Sequence, residues 1–110
     1  MKIETGKFYW YLRPSHLGTH ELEEVQCTSM ELCDTLDDGD IKCIFKGNFT
    51  ISIKAYYNSK SETFSHRNMT DSEKTAKLML IEYTEKNIQY LQSIIQKEKK
   101  KIEQLKQETQ

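Results

Sequence analysis

One proline and four glycines serve 110 residues, and none of them lies beyond Gly47. Glycine-dependent chemistry is therefore excluded at the outset. There is no G-x-x-x-x-G-K-[ST] phosphate loop, no G-x-G-x-x-G turn and no G-x-S-x-G elbow. No apolar run is long enough to cross a bilayer. Met1-Lys2-Ile3-Glu4-Thr5 carries no apolar leader core, so a cytoplasmic protein without membrane association is expected. Charge of one sign is also missing. A formal net charge of -1 gives no overall basic field, and nucleic acid is not an expected partner.

Cysteine is too scarce, and odd in number, for a disulfide framework; Cys27, Cys33 and Cys43 read as free thiols. With His16 and His20 they are the right ligand types for zinc, but no paired knuckle spacing is present. We expect no metal and no other cofactor. The acidic stretch Asp34 to Asp40 lacks the calcium-loop spacing and its distant bidentate Glu, and reads as a solvated turn. Asn48-Phe49-Thr50 and Asn68-Met69-Thr70 match the glycosylation sequon, which without a leader is a chance match. No residue set stands out as catalytic, and no enzyme activity is expected.

What the chain does have is a C-terminal helical pattern from Thr70 to Gln110. Thr70-Asp71-Ser72-Glu73 matches a capping box. Ile81, Ile88, Ile95 and Ile102 then recur every seven residues, with Leu91 and Leu105 in the d register and Thr84 and Glu98 as its polar members. A helix of ~38 residues spans ~57 Å, about twice the width of a domain this small. Its far half, from about Gln92, cannot rest on its own domain. Lys97, Lys99, Lys100, Lys101 and Lys106 alternate with Glu98, Glu103 and Glu108 around a narrow apolar stripe. Such a segment alone in water is marginally helical. It is a frayed, solvated tail, a coiled coil with another copy, or a helix that docks in a groove on a different protein, and the seam spacing favours a homo-oligomer, dimer or higher. Ile81, Ile88, Leu91, Ile95, Ile102 and Leu105 are the expected interface.

The first ~69 residues read as antiparallel strands. Gly6 to Leu12 alternates Phe8, Trp10 and Leu12 against Tyr9 and Tyr11, and Arg13-Pro14 ends it. Glu21 to Cys27 is a second strand. Thr28-Ser29-Met30-Glu31 is another capping-box match, and Met30, Cys33 and Leu36 suggest a short helix ending near Gly39. Asp40 to Tyr57 is a hairpin. A three-residue loop, Lys46-Gly47-Asn48, pairs Phe45 with Phe49, Cys43 with Ile51 and Ile41 with Ile53, with Asn48 in the left-handed region. Glu62 to His66 is a short last strand. The fold class is α+β: a small antiparallel sheet or SH3-like barrel of four or five strands (1–69), then one long helix forming a coiled coil (70–110). Ala76, Leu80, Tyr83 and the Leu78/Met79 pair mark the part of the helix that packs on the sheet.

Tyr9, Tyr11, Arg13, Tyr56 and Tyr57, with Trp10, Lys54 and Lys60 nearby, form a candidate aromatic and basic surface for a ligand or partner. Such a surface can also stack single-stranded bases or a nucleotide; the bland alternative is that these rings simply fill the core. In size and composition the chain is similar to the short Lys/Glu/Ile-rich accessory proteins of bacteriophages and prophages, though it lacks the strong acidity of their DNA mimics. That resemblance implies stoichiometric capture of a host protein, or of a small signalling ligand, in the host cytoplasm.

Overall fold

The computed structural model describes residues 1–16, 18–32 and 39–110. It is an α+β protein: a six-stranded antiparallel sheet curled into a half-barrel, followed by one long helix. The strands are β1 (Phe8–Pro14), β2 (His20–Leu32), β3 (Asp40–Lys46), β4 (Ile53–Asn58), β5 (Thr63–Phe64) and β6 (Met69–Thr70), and the helix α1 spans Glu73–Glu108. Their order in the sheet is β5-β4-β3-β2-β1-β6. Consecutive strands pair as a meander, and β6 returns to the free edge of β1.

Alternation along the strands makes two faces. On the inner face Tyr9, Val25, Cys27, Cys43, Phe45, Ile53, Ala55 and Tyr57 form one buried cluster with Ile3 and Met69. Tyr9 and Phe45 meet edge to face, with ring centroids 5.6 Å apart. The Tyr9 hydroxyl accepts from Glu4 N (2.8 Å) and donates to Lys2 O (3.2 Å), which pins the N-terminal segment and seats Ile3 beneath it. On the outer face Leu12 pairs with Leu22 and Pro14 with His20. His20 stacks on Tyr83 of α1, so the helix lies on this face, where Leu12 and Ala76 are fully buried outside the inner cluster.

Several expectations are corrected. The sheet has six strands, not four or five. β1 is displaced by two residues and includes Pro14, which is tolerated as the strand's last residue, where a missing N–H costs little. Thr28 to Leu32 continues β2 instead of starting a helix. A bulge between Cys27 and Ser29 moves Met30 onto the inner face opposite Cys43. Thr28-Ser29-Met30-Glu31 matches a capping box in residue types alone; Ser29, Met30 and Glu31 pair with β3 instead. Cys33, Leu36 and the acidic residues 34, 37 and 38 lie outside the described residues. The strand expected over Glu62 to His66 is only Thr63–Phe64, preceded by a turn in which the Asn58 carboxamide accepts from Lys60 N and Ser61 N. β6, at two residues, is too short to show a period in the sequence. Thr70 belongs to it, and the helix is capped by Ser72, which accepts from Thr75 N at 3.2 Å.

The β3–β4 hairpin exists, but its register is four residues from the expected one: Phe45 faces Ile53, Cys43 faces Ala55 and Ile41 faces Tyr57. A shift of four keeps the same side chains on the same face, so alternation could not detect it. Phe49 (75% exposed) and Ile51 (88% exposed) drop out of the ladder into the connection. Asn48 is not left-handed; Glu62 is the non-glycine residue with positive φ among those described. The cause is Glu23, a carboxylate buried on the inner face of β2. It accepts from Phe49 N (2.6 Å), from Thr50 N (2.8 Å) and from the Thr50 hydroxyl. Arg13 Nε stands 3.5 Å away, and the guanidinium lies over the Phe49 ring. Burial raises the Glu23 pKa, but the Thr50 hydroxyl, the two amides and the Arg13 charge outweigh it and hold the carboxyl below its ordinary value of 4.5.

Two predictions test this node. A Cβ on Gly47 would lie 2.7 Å from Glu23 Oε1 and 3.0 Å from Val25 Cγ1. Gly47→Ala should cost about 1–3 kcal/mol in denaturant unfolding through overpacking; no loss would show that the loop is free to move away. Because the folded pKa of Glu23 is depressed, its stabilisation is present above the ordinary glutamate range and fades as pH falls below about 4.5. Glu23→Gln should destabilise the protein at neutral pH and flatten that acid limb; an unchanged pH–stability curve would refute the role.

Candidate functional site

Two surfaces can carry function, and both involve α1. The first is the outward side of the helix. Ala76, Leu80, Tyr83 and Asn87 are buried or half-buried and face the sheet, which α1 meets at β1, β2 and β6. The seam positions are turned away from that contact. Ile81, Ile88, Leu91, Ile95, Ile102 and Leu105 are all exposed, Ile88 and Ile95 by about half (49% and 51%). Every residue from Ile88 onward is exposed. A 36-residue helix is ~54 Å long at ~1.5 Å per residue, so the molecule reaches 69 Å in its longest dimension against 30 and 24 Å in the others. The polar face is laced by Glu73–Lys77 and Glu82–Lys86 ion pairs four residues apart. In the seam, the Thr84 hydroxyl donates to Leu80 O, so this polar member brings no unsatisfied donor.

The second surface is an open cleft of about 470 Å³ at the root of the helix, lined by His20, Ser65, His66, Arg67, Asn68 and Tyr83. Three separate segments build it. β2 begins at His20, whose ring stacks on Tyr83 at 4.7 Å. The Tyr83 hydroxyl donates to Asn68 Oδ1 (2.7 Å), while Asn68 O accepts from Leu12 N (2.9 Å). Asn68 N donates to His66 Nδ1 at 3.3 Å, and the His66 ring meets Tyr11 edge-on. Burial lowers the His66 pKa, which agrees with a neutral ring accepting at Nδ1. Ser65 Oγ accepts from Tyr56 N, so it is engaged in the sheet rather than aligned on a histidine. The cleft offers hydrogen-bonding groups and ring surface without a nucleophile–base pair in hydrogen-bond contact.

The residues selected for an aromatic surface do not share one. Tyr9 and Tyr57 are buried in the inner core. Tyr11 packs against that core and His66. Arg13 belongs to the Glu23 node and also binds Glu21 at 2.8 Å. Tyr56 lies on the opposite face beside Lys54. Burial raises the pKa of both Tyr9 and Tyr11, as expected of rings whose hydroxyls are shielded from water. The zinc-type residues are likewise separated: Cys27 and Cys43 are core thiols, with Cys27 pushed up by burial, whereas His20 is on the helix face. No group of three metal-binding side chains occurs among the described residues, and Cys33 lies outside them.

Sequence reading missed Glu23 and the cleft. Glu23 had a signal, since it stands in phase with Val25 and Cys27 on an otherwise apolar strand face. The cleft had none, because His20, the 65–68 loop and Tyr83 meet only through the return of β6 and the docking of α1. Among the described residues no helix is long and apolar enough to cross a membrane. No protein-family model, no curated protein and no solved structure matches the chain.

Proposed function

We propose that this is a non-enzymatic interaction protein that self-associates as a coiled coil through its C-terminal helix and holds a small β domain for partner capture. The observation that carries the reading is the exposed seam of Ile81, Ile88, Leu91, Ile95, Ile102 and Leu105, rotated away from the helix face that packs on the sheet. Large side chains at heptad spacing are expected to be covered by another helix. Burying the half of each that remains exposed gives on the order of 1 kcal/mol per residue. Six residues on each of two chains give a gain of the same order as the ~4–15 kcal/mol that association costs, so the pairing is set by concentration.

The specific form we favour is stoichiometric sequestration of a host protein or a small signalling ligand, as a phage-type inhibitor of host defence acting in the host cytoplasm. The chain's size and composition support it, and a small ligand would be received by the cleft of His20, His66, Arg67, Asn68 and Tyr83, which is within the range of ligand pockets. An aromatic face for single-stranded nucleic acid has less support, because two of its tyrosines are core residues.

The test is mass in solution. Wild-type protein should sediment as a dimer or larger at high concentration. Ile88→Asp with Ile95→Asp should be monomeric, since each buried carboxylate costs several kcal/mol, while near-ultraviolet spectra keep the signature of the β domain. A wild type that stays monomeric at every concentration would remove the proposal.

A further inference from the structure

The charges beside the seam distinguish the two ways in which a second copy could cover it. With the four isoleucines at a, Glu98 occupies d, Glu85, Lys99 and Lys106 occupy e, and Lys101 occupies g. In a parallel, in-register pair, identical d residues meet across the axis, so the two Glu98 carboxylates face one another. Each g residue then lies beside the e residue five positions on in the other chain. Lys101 would meet the partner's Lys106 on both sides of the pair, and no g–e contact would join opposite charges. Like charges so placed are destabilising.

An antiparallel pair removes each of these conflicts. There, a residues meet d residues, and e residues meet e residues. The register that sets Leu91 against the partner's Ile95 uses the whole seam. It places Ile81 on the partner's Leu105, Thr84 on the partner's Ile102 and Ile88 on the partner's Glu98. Glu85 then lies beside the partner's Lys99, twice by symmetry. Glu98 faces an isoleucine, and its carboxylate can reach Lys101 of its own helix three residues on. The helix face buried on the sheet, carrying Ala76, Leu80 and Tyr83, is not needed for this contact.

We infer that the occupant of the seam is a second copy of this chain, running antiparallel, with the two β domains at opposite ends of the paired helices. The inference rests on the self-association proposed above and adds its direction and register. Residue 76 of one chain would sit level with residue 110 of the other, setting the domains ~50 Å apart along the axis.

Gln107 occupies the f position, opposite the a and d seam in this heptad, and is exposed, so it can carry a probe without entering the seam. The experiment is a spin-label distance measurement on full-length Gln107→Cys in a Cys33→Ser background, where Cys27 and Cys43 are buried and will not label. Sedimentation on the same sample reports its mass. A dimer with labels ~42 Å apart, from 28 residues of offset, supports the inference. A dimer with labels at about the helix–helix distance of ~10 Å overturns the direction and leaves self-association standing. A monomer overturns both. A charge exchange provides a second reading. Lys99→Glu should weaken the dimer about five-fold, and adding Glu85→Lys should restore it. Additive losses, with no restoration, would contradict the Glu85–Lys99 contact.

Discussion

The carboxylate of Glu23 is the constraint on which the rest of the sheet depends. A buried charge costs several kcal/mol unless it is paired and hydrogen-bonded, and this one receives two backbone amides, a hydroxyl and the Arg13 guanidinium. Hydrogen bonds to a charged group contribute roughly 1.5–3 kcal/mol each, enough to hold the group ionised in place. The consequence is positional. By gripping the chain at Phe49 and Thr50, Glu23 sets where the connection after β3 ends and β4 begins. That brings Ile53, Ala55 and Tyr57, rather than Phe49, Ile51 and Ile53, opposite Phe45, Cys43 and Ile41. The larger Tyr57 then reaches the core, and Phe49 becomes the ring over which Arg13 is stacked.

The helix depends on the same sheet from its other side. Leu12, Leu22 and His20 share the outer face on which α1 packs, with Tyr83 stacked on His20, and β6 leads through Asp71 to the helix cap at Ser72. Only the first turns find this support. Beyond Asn87 every helix residue is exposed, and a solvated segment of that length is near the limit of stability by propensity alone. Its alanine-poor composition sets Glu98 and Glu103 three or four residues from lysines, spacings that can each add only a few tenths of a kcal/mol. A covered apolar seam is the larger available term.

How much of this was readable follows from which forces are local. The α+β class, the hairpin and the long helix show in periodicity, because alternation at Ile41, Cys43 and Phe45 and the seven-residue spacing of four isoleucines are properties of neighbouring residues. The hairpin register was not readable, because a four-residue shift preserves every face and is decided by Glu23, more than twenty residues away. The strand over Thr28 to Leu32 was not readable because Thr28-Ser29-Met30-Glu31 carries the residue types of a capping box, and pairing with β3, not residue type, decides its conformation. β6 and the cleft were invisible for a related reason. Met69 and Thr70 are too few to show a period, and His20, Asn68 and Tyr83 become neighbours only when the edge of β1 is filled.

The cleft and the seam are not independent features. Tyr83, which anchors Asn68 and stacks on His20, precedes the seam residue Thr84 by one position, and Asn87 precedes Ile88 likewise. A helix is stiff over one turn, so whatever fixes the c and g side of these turns also fixes the direction in which the a and d side points. The contacts of Tyr83 therefore set the angle at which the seam leaves the domain, and with it the geometry open to a second helix. A group bound in the cleft could change association only by favouring one angle of α1 over another, since a ligand with equal affinity for two arrangements shifts neither. The β domain thus acts on its helix less as a cap than as a mount, and the stacked His20–Tyr83 pair is the joint between them.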